Sequence, residues 1–433
     1  MHRLFRGGLV VACDEAMGSQ RLDLRVRDGL IDELGEDLVP DGAQVVDLSD
    51  RWLLPGFVQT HVHLVQSLFR GLADDLALLD WLRSRIWPLE GAHDEESTYW
   101  SARLGISELL LGGTTAILDM ASVRHTDAVF QACEEAGIRA FVGGALMDRE
   151  NEAGLSAPTD VLLRQACDEA DRWHGKGRLQ YAFAPRFVPS CTDALLRQCA
   201  EEARRRGCLL HTHASENRGE VELVRELTGR DNVAHLHEMG LTGPDVALAH
   251  CIHLTDHEEA LLAGTRTRVL HCPSSNLKLG SGVARIPELM ARGVHVSLGA
   301  DGAPCNNRMD IFTEMRLAAL VQKPRLGPTA MPAAVVLGLA TRAGAEALGL
   351  PTGLLEVGRP ADLVVIDPRH PSIQPATDAV SALVYAATPA CVESVWIDGT
   401  QVVEDGRVPG WDPEETRRGV AKAVDRVRMR VGL

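Results

Sequence analysis

Short apolar runs alternate with longer segments whose apolar positions recur at helical spacing, and the alternation extends from residue 53 to about residue 304. Eight runs stand out: 53–64 (LLPGFVQTHVHL), 114–121, 138–144, 179–187, 208–215 (CLLHTHAS), 246–254, 267–273 and 294–304. The segments between them, such as 193–207 and 286–293, carry the helical pattern and end on glycine, as helix C-termini often do. Eight strands joined by crossover helices predict an α/β fold, a (β/α)8 TIM barrel with parallel strands. A doubly wound open sheet is the structural alternative. It would offer a glycine-rich phosphate turn after its first strand, and here the first run ends in histidines.

Both ends of the chain change style. Residues 1–52 read as short strands with turns at Asp28-Gly29 and Asp41-Gly42, and residues 353–408 resume that style with DLVVID, VWIDG and QVVEDG. A small β-sandwich formed by both termini is expected, made of 1–52 and 353–433, around a barrel domain of 53–352. The stretch 309–350 is helix-like and leads out of the barrel, and the last residues, DPEETRRGVAKAVDRVRMRVGL, read as a terminal helix.

Composition narrows the class. The formal charge of −16 argues against a nucleic-acid surface, because phosphate binding needs clustered Lys and Arg. No apolar run reaches about 18 residues, so no membrane span is expected, and the N-terminal stretch lacks the long apolar region of a signal peptide. The ten cysteines include no C-x-x-C pair. That suits reduced thiols in the cytoplasm, and it excludes the cysteine-ligated zinc deaminase signature.

The histidines that matter fall at strand ends, the face where barrel enzymes place their active sites. His61 and His63 are two residues apart, so both imidazoles point to one side of an extended strand. His213 ends the fifth run, His250 and His253 the sixth, His271 the seventh and Asp301 the eighth. Imidazoles with one carboxylate suit zinc with an open position for water, and iron or manganese would accept the same set. Such an ion lowers the pKa of water toward about 7 and so supplies a hydroxide nucleophile. Glu216, three residues after His213, is placed to shuttle the water's proton; Asp301 can take the second proton and His250 can orient the nucleophile.

Several longer motifs carry a resemblance: PGFVQTHVH (55–63), HTHASEN (211–217), AHCIHL (249–254), HCPSSNLKLGSG (271–282), LGADGAPCNN (298–307) and GRPADLVVID (358–367). Together they resemble the amidohydrolase superfamily, and within it the deaminase branch. The resemblance implies one divalent metal, zinc or iron, on His61, His63, His213 and Asp301, with Glu216, His250 and Asp301 in proton transfer. It also implies a homo-oligomer. Two-metal members usually bridge their ions with a carboxylated lysine on the fourth strand; LQYAFAPRF has none, which favours one ion and disfavours ring-opening amidases.

The expected partner is a small heterocycle. Gln66 and Arg186-Phe187 resemble the base-binding residues of guanine deaminases, since an amide and a guanidinium can hydrogen-bond an oxopurine while a phenyl ring packs on its face. Residues 68–82 and 299–323 look more like deaminases of methylthioadenosine, adenosylhomocysteine and 5′-deoxyadenosine. The sequence leans toward a guanine-like base, with an adenosine-type nucleoside as the alternative and a triazine as a third reading. A catalytically dead scaffold would have lost a ligand or Glu216, and all are present.

Overall fold

The computed structural model describes residues 2–433. Eight parallel strands follow one another in chain order: Phe57–Val62, Thr114–Met120, Arg139–Gly143, Leu179–Pro185, Leu209–Ala214, Val246–His250, Arg268–His271 and His295–Leu298. They are the first to eighth barrel strands below. A two-residue strand, Ala145–Leu146, extends the pairing along the fourth. The ring closes between the eighth strand and the first, where the Asp301 N–H donates to the His61 carbonyl at 2.9 Å and Val62 bridges Asp301. This is the expected (β/α)8 barrel. The seam is tight: a Cβ on Gly299 would lie 2.6 Å from the His61 carbonyl oxygen, so only glycine fits there.

Local signals set the crossover helices. In Asp193–Arg206 the Thr192 hydroxyl accepts the Leu195 N–H at the start, and Gly207 ends the helix in the left-handed region at φ +70°. Its buried face, Leu195, Leu196, Cys199, Ala200 and Ala203, packs into the main core around the barrel.

The first apolar run is two strands rather than one. Trp52–Pro55 joins the terminal sheet, and after Gly56 the chain enters the barrel as Phe57–Val62. Gly56 makes the crossing possible, because a Cβ there would lie 2.0 Å from the Thr115 hydroxyl. Both strands are buried throughout, so hydropathy alone could not separate them.

The termini build one eight-stranded sheet around a separate apolar cluster that includes Phe5, Leu24, Val26, Leu363 and Trp396. Strand His2–Val11 changes partners midway. Residues 3–6 run beside Gln44–Asp47, and Leu9 and Val10 run beside Trp52 and Leu53, with a register shift at Gly7. Strands Ser19–Arg27 and Leu30–Gly35 turn on Asp28 (φ 52°) and Gly29 (φ 85°), the pair of positive angles a tight hairpin needs. Arg139 at the base of the third barrel strand ties this sheet to the barrel through Asp362 (3.1 Å) and Asp398 (2.8 Å).

The terminal helix, Pro413–Val431, lies against helix Glu95–Leu111, with Gly419 pressed on the Trp100 ring and Arg426 and Arg430 both paired with Asp94. Among the described residues no helix is long and apolar enough to cross a membrane.

Candidate active site

The strands deliver the predicted residues to one point. Ligand atoms of His61, His63 and Asp301 lie within 4.8 Å of one another, and so do those of His61, His213 and His250. His63 Nε2 is 3.3 Å from His213 Nε2 and 3.4 Å from Asp301 Oδ1; His61 Nε2 is 3.5 Å from the same oxygen. His61 Nε2 is buried without a hydrogen-bond partner among the described residues, in the middle of this group. An orphaned ring nitrogen among converging imidazoles and a carboxylate is what a divalent cation requires, so the residues fit a metal.

The outer nitrogens are held by the scaffold. His63 Nδ1 donates to the Met120 carbonyl and His213 Nδ1 to the Arg186 carbonyl, both at 2.7 Å. A carbonyl only accepts, so each ring keeps its Nδ1 proton and turns the Nε2 lone pair inward. Burial lowers the His63 pKa to about 4 and depresses His61 and His213 as well, which keeps the rings in the neutral form that ligates. Burial opposes ionisation of Asp301, but the close approach of His61, with His250 and His63 beside it, outweighs burial and holds the carboxyl below its ordinary range.

Beyond the strand ends the backbone is strained in a useful way. Ser215 (φ 53°), His250 (φ 73°) and Asp301 (φ 63°) all adopt left-handed angles, which cost a non-glycine residue about 1 kcal/mol or more. The chain turns sharply there and carries Glu216, His250 and Asp301 over the barrel mouth. His250 Nε2 is 3.5 Å from Glu216 Oε2 and 3.8 Å from Asp301 Oδ2, while its Nδ1 meets Asn276 Oδ1 at 2.8 Å. Burial, together with the charges of Asp301 and Glu220, pushes the Glu216 carboxyl well above its usual value, so it readily holds a proton.

A narrow pocket opens onto this group, walled by Gln66, Leu78, Trp81, Leu82, Arg186, Phe187 and Leu279. The space open to the centre of a water-sized sphere is about 20 Å³, room for one or two waters. Gln66, Arg186 and Phe187 all line this pocket, and two of them are already engaged. Both terminal nitrogens of Arg186 meet Glu90, at 2.6 and 3.1 Å, and the Gln66 amide donates to the same carboxylate at 2.9 Å. Glu90 is buried, and although burial opposes its ionisation, Arg186 holds its carboxyl below the ordinary range.

Sequence reasoning passed over Glu90, which lies in a short helix, Trp87–Gly91, with no motif around it. It also passed over Asn276 and His211. For His211 a signal existed: HTH at 211–213 repeats the spacing of HVH at 61–63. His253 and His271 stay outside the cluster, His253 on the Ser281 carbonyl and His271 buried without a hydrogen-bond partner among the described residues.

Residues 52–402 match the amidohydrolase family. The chain belongs to that family. It is a metal-dependent hydrolase acting on C–N bonds, and relatives more than 30% identical to it include proteins named as deaminases. This amidohydrolase is 41% identical over 383 residues to a 5-methylthioadenosine/S-adenosylhomocysteine deaminase of Moorella thermoacetica, covering 87% of the chain and 88% of the relative. It is 37% identical over 393 residues to a 5′-deoxyadenosine deaminase of Methanosarcina acetivorans, covering 90% of each. Among solved structures it resembles an adenosine deaminase from Xanthomonas campestris with bound zinc, at a TM-score of 0.93 and 31% identity over 99% of this chain and 98% of the other. An Escherichia coli guanine deaminase is more distant, at a TM-score of 0.85 and 27% identity over 93% and 99%.

Proposed function

We propose that this amidohydrolase deaminates adenosine-type nucleosides, releasing ammonia from the exocyclic amine of the purine ring. The observation that carries the deaminase chemistry is the convergence of His61, His63, His213 and Asp301 beneath Glu216 and His250. The substrate class replaces the lean toward a guanine-like base, for two reasons. The more similar relatives are named for adenosine-type substrates, while the guanine deaminase is the more distant neighbour. In addition, the guanidinium fork on which the oxopurine reading relied is paired through both terminal nitrogens with Glu90, which takes up part of its donor set.

His61, His63, His213 and Asp301 would hold one ion, zinc by donor type, with iron compatible. The ion's contribution is to make water acidic enough to attack at neutral pH. Glu216 accepts the proton of the attacking water and delivers it to the adjacent ring nitrogen as the C–O bond forms. Its raised affinity for a proton suits this transfer. Asp301 takes the remaining proton of the added oxygen and passes it to the amine; the C–N bond breaks and ammonia departs, leaving the oxo ring. His250, held from behind by Asn276, steadies the oxygen as charge develops on it. Leu78, Trp81, Phe187 and Leu279 keep bulk water from the reacting carbon.

An ammonia-release screen over adenosine, 5′-deoxyadenosine, methylthioadenosine, adenosylhomocysteine and guanine tests the reading. At least one adenosine-type nucleoside should turn over with a kcat/KM at least tenfold above that for guanine. Turnover of guanine with no activity on the nucleosides would overturn it.

A further inference from the structure

We infer that His211 is a positioning residue for the metal centre, fixing which nitrogen of His61 is offered to the ion; the inference rests on the proposed ligand set. His211 and His61 are both fully buried, with rings 4.9 Å apart and nearly perpendicular at 86°, and His211 Nε2 meets His61 Nδ1 at 2.8 Å. The other two imidazoles are backed by main-chain carbonyls. His61 alone is backed by a ring, whose nitrogen can accept or donate according to its tautomer.

Geometry selects one arrangement. His61 Nε2 faces Asp301 in the centre of the cluster, so for that nitrogen to ligate, the His61 proton must sit on Nδ1. His211 Nε2 must then be the acceptor, and its own proton lies on Nδ1, which has no partner among the described residues. A buried N–H without a partner is unfavourable for folding, so stability does not explain this histidine. Its alignment behind His61 does. The register of the fifth strand provides the alignment: His211 and His213 alternate along Leu209–Ala214 and face the same side, so one strand supplies both a ligand and the support for a ligand on the first strand.

The test compares zinc affinity, by chelator competition, and the visible spectrum of the cobalt-substituted protein for wild type, His211→Met and His211→Gln. Methionine has similar bulk and no strong acceptor, whereas the glutamine oxygen can replace Nε2. His211→Met is expected to lose about 10- to 100-fold in zinc affinity and to alter the cobalt spectrum, while His211→Gln recovers most of both. Equal affinity and spectra in wild type and His211→Met, with the wild type binding one equivalent of zinc, would overturn the role of His211 and leave the ligand set standing. A wild type that binds no zinc would overturn the ligand set and this inference with it. Should His211→Met fail to fold, nitrogen-15 imidazole spectra of the zinc-loaded wild type decide: a His211 proton on Nδ1 supports the inference, and one on Nε2 overturns it.

Discussion

Glu90 and Arg186 form a two-pronged ion pair whose side chains are 1% and 5% exposed, beside the reacting centre. Replacing one partner leaves the other charge buried and unpaired, which costs about 3–5 kcal/mol, whereas replacing both with apolar residues of similar size is close to neutral. At about 2 cal/mol/K of unfolding entropy per residue, 433 residues give about 0.9 kcal/mol/K, so each single loss corresponds to about 3–6 °C if the chain unfolds as one unit. The experiment is a thermal-melt cycle with Glu90→Met, Arg186→Met and the double variant. The singles should each melt about 3–6 °C below wild type, and the double variant should melt higher than either single. The pH dependence has a definite sign. Arg186 depresses the Glu90 pKa in the fold, so the pair's contribution is present above the unfolded carboxylate pKa and is lost as pH falls through the folded one. The Glu90→Met protein should therefore differ from wild type most at neutral pH and least in acid. Singles that shift by less than 1 °C, or a double variant that shifts by the sum of the two, would refute the buried pair.

Three further outcomes are expected. Glu216→Gln should keep one equivalent of metal and lose at least about 100-fold in kcat; retained turnover would remove Glu216 as the proton carrier. Gly299→Ala should destabilise by about 1–3 kcal/mol through overpacking and weaken metal binding, because the new Cβ would press on the backbone of His61; a melting point and metal content equal to wild type would contradict the tight seam. Asp94→Ala should cost about 1–2 kcal/mol by removing a helix cap and the contacts of Arg426 and Arg430, read by urea titration, with protease cutting near residue 412 appearing first. Burial opposes ionisation of Asp94, but the Ser97 N–H and the two arginines outweigh it, so this contribution is present above the unfolded carboxylate pKa and fades as the solution becomes acid.

Much of the barrel was legible because its strands are short, apolar and separated by amphipathic helices, and because its chemistry-bearing residues sit at strand ends. The eight runs correspond to the eight strands, although Asp301 stands three residues past His295–Leu298, reached by a turn rather than by the strand itself. The break at Gly56 was not legible, since the apolar run continues across it, both flanking strands are wholly buried, and the glycine's role depends on Thr115, distant in sequence. Glu90 was hidden for a similar reason. Its partner is 96 positions away, and a carboxylate in a short helix carries no local sign that it will be buried. His211 differs: its spacing with His213 was visible, but only the packing of the first strand against the fifth gives that spacing a meaning.

The seam of the barrel joins residues that are some 240 positions apart, and it lies beside the reacting centre. His61 and His63 come from one lip of that seam and Asp301 from the other. A cation shared between them would act as a clasp, holding the first and last strands of the ring together and crediting its binding free energy to the closed form. Closure of the ring and readiness for chemistry would then be one event: a chain that has brought its two lips together has also assembled its ligands, and a chain with an open ring cannot be active.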